Sequence, residues 1–487
     1  MAAPQCGFEK AEILDVLIIG AGISGINCAY RLQTDLPHVK FAILEGRDRI
    51  GGTWDLYRYP GVRSDSDIYS MGFAWHPWSF DQPIATGDQI VEYLSDAVSK
   101  NHLDRHIRFR HMVSSANWST PDQNWTLVAK DHDGLYKYFR ARWIILGTGY
   151  YDYDTPLHAD IPGLDSFKGQ IINPQFWPSD FNYNNQKIAV IGSGATAVSL
   201  LPALPERAAQ VTMIQRSPTY IHPSPNTAWL QLYFPRFLVD LYRRIRYLIT
   251  PYLMVLLCRY YPDLVKDSFR KEVTKLLPNP IDYDTHFKPR YNPWDQRICT
   301  DPDGTFYKTL HLPNVHLITG EIDTVTNSGI RMQDGQIVDV DTIITATGIK
   351  MLMGGKIDLK VDGEPVSWRR RYIWNGAMLD SVPNMMFMFG YTNHSWTLGS
   401  DDTAIVLTRL WRYMEGRAVK IAILRVPADA ATGTQRLWQL NATYVLAADD
   451  ELPVYGMSGN WKPRNRPPID YVHARWGDFT SGLDFCA

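Results

Sequence analysis

The chain has 487 residues, 45% of them hydrophobic and 21% charged, with a formal net charge of -2 at pH 7. That length suits roughly two or three domains of an ordinary globular protein. The balanced charge, without a long Lys/Arg run, excludes nucleic acid as the main partner, because phosphate recognition needs a concentrated basic footprint.

Five cysteines (Cys6, Cys28, Cys258, Cys299, Cys486) form no CxxC pair and no metal-ligand spacing. No disulfide framework, zinc site or dithiol chemistry is expected, and the pattern fits a reducing compartment. The amino terminus lacks a secretory leader pattern, which points to a cytoplasmic protein. Cys486 stands next to last, the wrong position for prenylation.

The first predicted element is a strand over Leu14 to Ile19. It is followed by Gly20-Ala21-Gly22-Ile23-Ser24-Gly25 and then by apolar residues at helical spacing, Ile26, Ala29, Tyr30 and Leu32. A second strand, Val39 to Leu44, ends at Glu45, about twenty positions after Gly25, where a ribose-binding acid is expected. Each glycine has a separate duty. Gly20 lets the chain turn, Gly22 lets backbone approach a pyrophosphate, and Gly25 lets helix and strand pack closely. Helix-terminal N-H groups then hold the phosphates.

The pattern returns at Lys187 to Ile191, followed by Gly192-Ser193-Gly194-Ala195-Thr196-Ala197, with alanine in the third place. The next strand, Val211 to Ile214, runs into Gln215-Arg216-Ser217, so a cation stands where the first module has Glu45. A guanidinium grips a 2'-phosphate bidentately, which predicts NADPH for this module and FAD for the first.

Residues 225 to 277 are rich in Leu, Tyr and Arg at helical spacing and carry no glycine motif. The longest uncharged stretch, Tyr247 to Cys258, is broken by Pro251 and is too short to span a bilayer. An interfacial role stays open, but a helical subdomain covering the active site is the preferred reading. Further on, Asp341 to Ile344 with Thr345-Ala346-Thr347-Gly348 matches Ile144-Ile145-Leu146-Gly147-Thr148-Gly149. Both read as buried strands ending in small residues, where the chain crosses between domains. His102 and His106 share a helical spacing but lack a third ligand, so no metal is expected.

Gly51-Gly52-Thr53-Trp54 and Arg58-Tyr59-Pro60-Gly61-Val62-Arg63-Ser64-Asp65-Ser66-Asp67 resemble the flavin-contacting segment of class B flavoprotein monooxygenases, the group containing the Baeyer-Villiger enzymes. Tyr291 to Arg297 and Gly390 to Leu398 are similar to blocks of the ethionamide-activating subfamily. The resemblance runs from about residue 14 to about residue 415. It implies that reduced flavin and oxygen form a C4a-peroxyflavin, whose anion attacks a ketone and whose protonated form oxygenates sulfur or nitrogen. It carries an active-site arginine onto Arg297 and a partner carboxylate onto Asp65. It also implies that Thr53, Trp54, Asp55, Tyr69 and Val113 line the FAD site, that Arg63, Ser64 and Asp65 approach the nicotinamide half of NADP, and that Trp396 packs on the nicotinamide ribose.

One position departs from the family. Its fingerprint, FxGxxxHxxxWP, reads here from Phe167 to Pro178 with Asn173 in place of histidine. Asparagine keeps hydrogen bonds of the imidazole but cannot become a cation near neutral pH. Three outcomes follow in order of preference: Baeyer-Villiger oxidation, sulfur or nitrogen oxygenation, and NADPH oxidase or reductase activity, with a catalytically impaired nucleotide-binding protein as the rival. The expected partners are O2 and a small, bulky apolar substrate; the sequence sets no oligomeric state.

The expected fold is α/β, with two Rossmann-like dinucleotide-binding domains and a helical insertion. The FAD domain comprises residues 1-155 and 349-487, the NADPH domain 156-224 and 300-348, and the insertion 225-299.

Overall fold

The computed structural model describes residues 11–227, 234–426 and 433–487. Cys6, the first ten residues of the expected FAD domain and residues 228–233 of the helical segment lie outside the described residues.

The first glycine module is built on a nine-stranded mixed sheet. Its central strand, Glu12–Ile19, lies parallel between Tyr136–Leu146 and Phe41–Leu44, with Val16 opposite both Phe41 and Trp143. Val16, Leu17 and Ile18 have no solvent exposure, as a parallel strand covered on both faces requires. The strand Tyr136–Leu146 changes neighbours along its length. Residues 136–141 pair antiparallel with Asn124–Lys130, and Ile144–Leu146 pair parallel with Met385–Phe387, so the carboxyl-terminal part of the chain returns to this sheet. The helix Ile23–Asp35 packs against the helix Trp396–Glu415, and Arg31 ties them through Asp401 at 2.8 Å.

The second module is a five-stranded, wholly parallel sheet in the order Val315–Thr319, Gln210–Gln215, Lys187–Ile191, Thr342–Thr345, Gln170–Ile172. The glycine-bearing strand sits in the middle. The excursion beginning near residue 225 leaves after Ile221–Ser224 and returns at Cys299–Pro302, and these two strands pair in parallel. Within it the helix Arg236–Tyr260 lies on the short helix Ile68–Met71 of the first module.

The stretches that follow the two small-residue strand ends, after Gly149 and after Gly348, pair with each other. The Asp152 N-H donates to the Lys350 carbonyl and the Leu352 N-H to the Tyr150 carbonyl, both within 3.0 Å. Burial raises the Asp152 carboxyl, but hydrogen bonds from Lys356, from the Asp154 and Thr155 N-H groups and from Lys350 bring it down to about 2. The crossing is therefore clamped by an ion pair that persists at every ordinary pH.

Candidate active site

The two glycine turns open on one cavity of about 390 Å³. The surroundings of each glycine differ. Gly20 adopts φ +103°, and a Cβ there would lie 2.6 Å from the Gly147 carbonyl oxygen. A Cβ on Gly25 would lie 2.0 Å from the Gly20 oxygen. Gly22 is different: a Cβ there would meet only the Gly52 Cα, at 3.7 Å, and would project into the cleft that Gly22 lines. In the second module Gly192 adopts φ +138° with the Ala346 oxygen 2.2 Å from a Cβ, while Gly194 has nothing within 4 Å and lines the same cleft. Ala197 in the third place is fully buried, so the second helix accommodates the methyl group that the first would not.

Glu45 is held by the turn it serves. Its carboxylate accepts the Ala21 N-H at 2.7 Å and the Arg47 N-H at 2.9 Å, leaving lone pairs for ribose hydroxyls. Burial raises its pKa, and these two N-H groups oppose the rise. Thr53 and Trp54 line the cleft, with the Thr53 hydroxyl 3.2 Å from that of Tyr153. Trp396 lines it too and donates its indole N-H to Ser24 at 2.9 Å.

Three of the expected FAD contacts are not brought to the cleft walls. Asp55 is buried and engaged by Arg47, Arg49 and Arg58 at 2.8, 2.9 and 3.1 Å, so its carboxylate anchors arginines around the turn. Tyr69 donates to the Asp81 carbonyl and packs at a tilt against Tyr247 of the inserted helix. Val113 is buried in the sheet core, on a strand whose inward face packs on apolar neighbours. Their sequence motif is local, but the direction of each side chain is set by packing.

On the second module, Ser193 donates to the Ser217 carbonyl at 3.0 Å, joining the turn to the end of the next strand. Thr196 lies one residue beyond the cleft-lining Gly194 and Ala195, and its carbonyl accepts from Ser199. Arg216 is exposed, and among the described residues its guanidinium reaches only the Thr443 hydroxyl, at 3.3 Å.

Arg63, Ser64, Asp65 and Arg297 all line the cleft. Arg297 is exposed and donates to the Ser66 hydroxyl at 3.4 Å; among the described residues no carboxylate lies within ion-pair distance of it. The direct Arg297-Asp65 pair is thus replaced by field coupling. Burial raises the Asp65 pKa, and the Arg63 guanidinium, then that of Arg297, pulls it back. Arg63 donates to the Thr300 carbonyl at 2.9 Å, yet its Nε is buried without a partner among the described residues. An orphaned buried donor beside an open glycine cradle fits a phosphate- and carboxamide-bearing ligand.

Asn173 is not a cleft wall. Its side-chain oxygen accepts the Gln175 N-H at 3.0 Å and starts a short 3-10 turn, and Gln175 in turn donates to the Asp152 carbonyl at 2.6 Å. The fingerprint segment therefore braces the crossing.

Several lining residues escaped the sequence reading. Tyr391 and His394 stand in a family block without having been assigned a role, and Leu440, Ala442 and Tyr444 come from the carboxyl-terminal region where no motif was legible. His394 accepts the Ser395 N-H on Nδ1, so its proton is on Nε2, which donates to the Leu248 carbonyl at 3.2 Å. Burial lowers its pKa to about 4 and keeps it neutral.

A cleft shared by two glycine turns, one followed by a strand leading into Glu45 and the other by a strand running into Arg216, fits a two-nucleotide oxidoreductase. The family model for pyridine nucleotide-disulphide oxidoreductases matches residues 17–249. The chain is 40% identical over 456 residues to the FAD-containing monooxygenase EthA of Mycolicibacterium smegmatis, covering 93% of this chain and 92% of that one. The chain belongs to the FAD-containing monooxygenase family. Its fold matches an oxidized steroid monooxygenase bound to NADP (TM-score 0.75, 20% identity, 97% and 99% of the chains) and an epsilon-caprolactone-bound cyclohexanone monooxygenase (TM-score 0.73, 20% identity, 98% and 100%).

Proposed function

We propose that the protein catalyses NADPH-dependent Baeyer-Villiger oxidation of a bulky apolar ketone, with one atom of O2 entering the product and the other leaving as water. As a member of the FAD-containing monooxygenases it is an FAD- and NADPH-dependent oxidoreductase. The observation that carries the finer reading is that Gly22, Gly194, Arg297 and Asp65 wall a single cleft.

Bound FAD supplies the hydride acceptor and the oxygen-activating ring. The chain's own residues do the rest. The helix ends at Gly22 and Gly194 bind pyrophosphates, Arg216 takes the 2'-phosphate, and Arg63 and Ser64 border the nicotinamide half. Arg297 places positive charge where the carbonyl oxygen becomes negative. Asp65 moderates that charge across the cleft without touching it. Tyr150, Tyr153, Trp396 and Leu440 supply apolar wall that excludes water. We place the protein in the cytoplasm, where NADPH and free thiols coexist.

A second reading, oxygenation of sulfur or nitrogen, is favoured by one observation. Arg297 is exposed and, among the described residues, held by a single long hydrogen bond. A guanidinium held so loosely fixes an anion less firmly, and the cleft then suits attack by a neutral oxygen donor. Incubation with NADPH, isotope-labelled O2 and matched ketones and sulfides decides between them: labelled ester supports the first reading, and labelled sulfoxide alone replaces it with the second.

A further inference from the structure

The helix Arg236–Tyr260 is apolar on both sides: Val239, Val255 and Cys258 are buried against the protein, and a second apolar set faces outward. An ordinary surface helix turns its apolar stripe to the core and its charges to water. Here the protein-facing side holds Arg243, which is 5% exposed and ion-paired to Asp81 at 3.3 Å, and Arg244, which donates to the Tyr69 and Gly72 carbonyls. Phe237, Leu241, Ile245, Ile249, Leu253 and Leu257 recur every four residues on the other side and are 43 to 70% exposed. Single exposed apolar residues are ordinary, but a continuous stripe of this length marks a surface that something covers.

The charge on the helix selects the occupant. From Leu241 to Pro262 there is no acidic residue, while Arg243, Arg244, Arg246 and Arg259 give the segment four cations. Arg246 and Arg259 are exposed and have no carboxylate partner among the described residues. A second copy of the chain, docked about a two-fold axis, would set this patch against itself and bring like charges together. Anionic lipid headgroups supply the missing complement. Tyr242, Tyr260 and Tyr261 are at least half exposed, as amphipathic rings at headgroup level would be.

A second element also exposes apolar side chains. The helix Pro467–Trp476 exposes Ile469, Val472 and Trp476, and its exposed Tyr471 lies within electrostatic reach of Arg244. No helix among the described residues is long and apolar enough to cross a membrane. The remaining mode is in-plane adsorption, for which a helix about 37 Å long with arginines beside its stripe is suited.

We propose that the outward face of Arg236–Tyr260, together with Pro467–Trp476, docks the protein on an anionic lipid bilayer. Docking does not depend on which substrate is oxygenated. It does set the bilayer beside the cleft, since the Leu248 carbonyl on this helix holds the cleft-lining His394.

Flotation of the FAD-loaded full chain with phosphatidylcholine vesicles, with and without phosphatidylglycerol, tests the proposal. The protein is expected to float with the phosphatidylglycerol-containing vesicles and to be released by high salt. Leu241→Asp with Ile249→Asp should abolish flotation. Arg246→Gln with Arg259→Gln should weaken it by about 25-fold, roughly fivefold per cation. FAD content and NADPH consumption should stay unchanged in both variants. Absence of flotation with either vesicle, or flotation that neither variant weakens, overturns the proposal. So does a dimer in light scattering that Leu241→Asp dissociates, which would assign the face to a second copy.

Discussion

The phenol of Tyr391 lies 3.1 Å from Oδ2 of Asp402, and the same oxygen lies 3.0 Å from Oδ2 of Asp470. A tyrosine hydroxyl has one proton to donate. That proton is shared between the two carboxyl oxygens. Burial pushes Asp402 up to about 7 against the pull of Arg464 and Arg475, and burial also raises Asp470. Because Tyr391 lines the cleft, a carboxyl that burial makes keep its proton to higher pH than usual stands one hydrogen bond behind its wall.

That proton makes stability depend on pH in a defined direction. A carboxyl whose folded pKa exceeds its unfolded value of about 3.9 binds more protons when folded, so stability falls as pH rises from about 4 to about 7 and then levels. Asp402→Asn keeps the hydrogen-bonding shape without the charge and should flatten this descent by roughly 1–4 kcal/mol. Urea midpoints measured across that range check it. Parallel profiles for the variant and the parent protein would show that Asp402 is not the group responsible.

The glycines separate folding from binding. Gly25→Ala forces a Cβ to 2.0 Å from a backbone oxygen and should lower stability by about 1–3 kcal/mol or more, with loss of FAD. Gly22→Ala and Gly194→Ala place a methyl group in open space, so each should stay within about 0.5 kcal/mol of the parent in the absence of nucleotide. Gly22→Ala should then fail to retain FAD, and Gly194→Ala should keep FAD while raising the KM for NADPH. Calorimetry on the apoprotein and flavin absorbance read the two effects apart.

Arg216 is exposed and, among the described residues, hydrogen-bonded only to Thr443, so its remaining guanidinium N-H groups can meet a phosphate. Removing a charge-assisted hydrogen bond costs about 1.5–3 kcal/mol. Arg216→Ala should therefore raise the KM for NADPH by about 10- to 100-fold and leave that for NADH nearly unchanged. An equal loss with both coenzymes would mean that the 2'-phosphate sits elsewhere.

For Arg297→Ala the expected result is FAD still bound, NADPH still oxidised, and labelled product reduced by at least about 100-fold, the loss typical of one oxyanion-stabilising donor. Asp65, freed from one of its two guanidinium neighbours, should titrate higher. Ester formed at the parent rate would remove Arg297 from the chemistry.

The legible part of the site is the part written in consecutive residues. Gly20, Gly22 and Gly25, the strand before them and Glu45 after them are all set by short-range spacing, and Thr53, Trp54, Arg63, Ser64, Asp65 and Arg297 lie in blocks long enough to be specific. What the motifs did not carry was side-chain direction. Asp55 sits next to two cleft residues, yet three arginines turn its carboxylate away. Asp65 and Arg297 were expected to touch, whereas Ser66 takes the hydrogen bond. Leu440, Ala442 and Tyr444 reach the cleft through the Asn441 N-H to Asp295 carbonyl hydrogen bond, a long-range contact with no local signature.

The sequence by itself picked out two glycine-rich turns and with them the two cofactors, because a glycine requirement is imposed by backbone geometry within a few residues. Only the tertiary structure decided that both turns open on one cleft, that Tyr391 and His394 stand in its wall, and that Asn173 braces the crossing between the modules. The same division holds for the inserted helix. Its spacing reveals an apolar stripe, but a stripe has no outward side until packing chooses one, and the hydrogen bonds of Arg243 and Arg244 to the body of the protein turn it toward solvent.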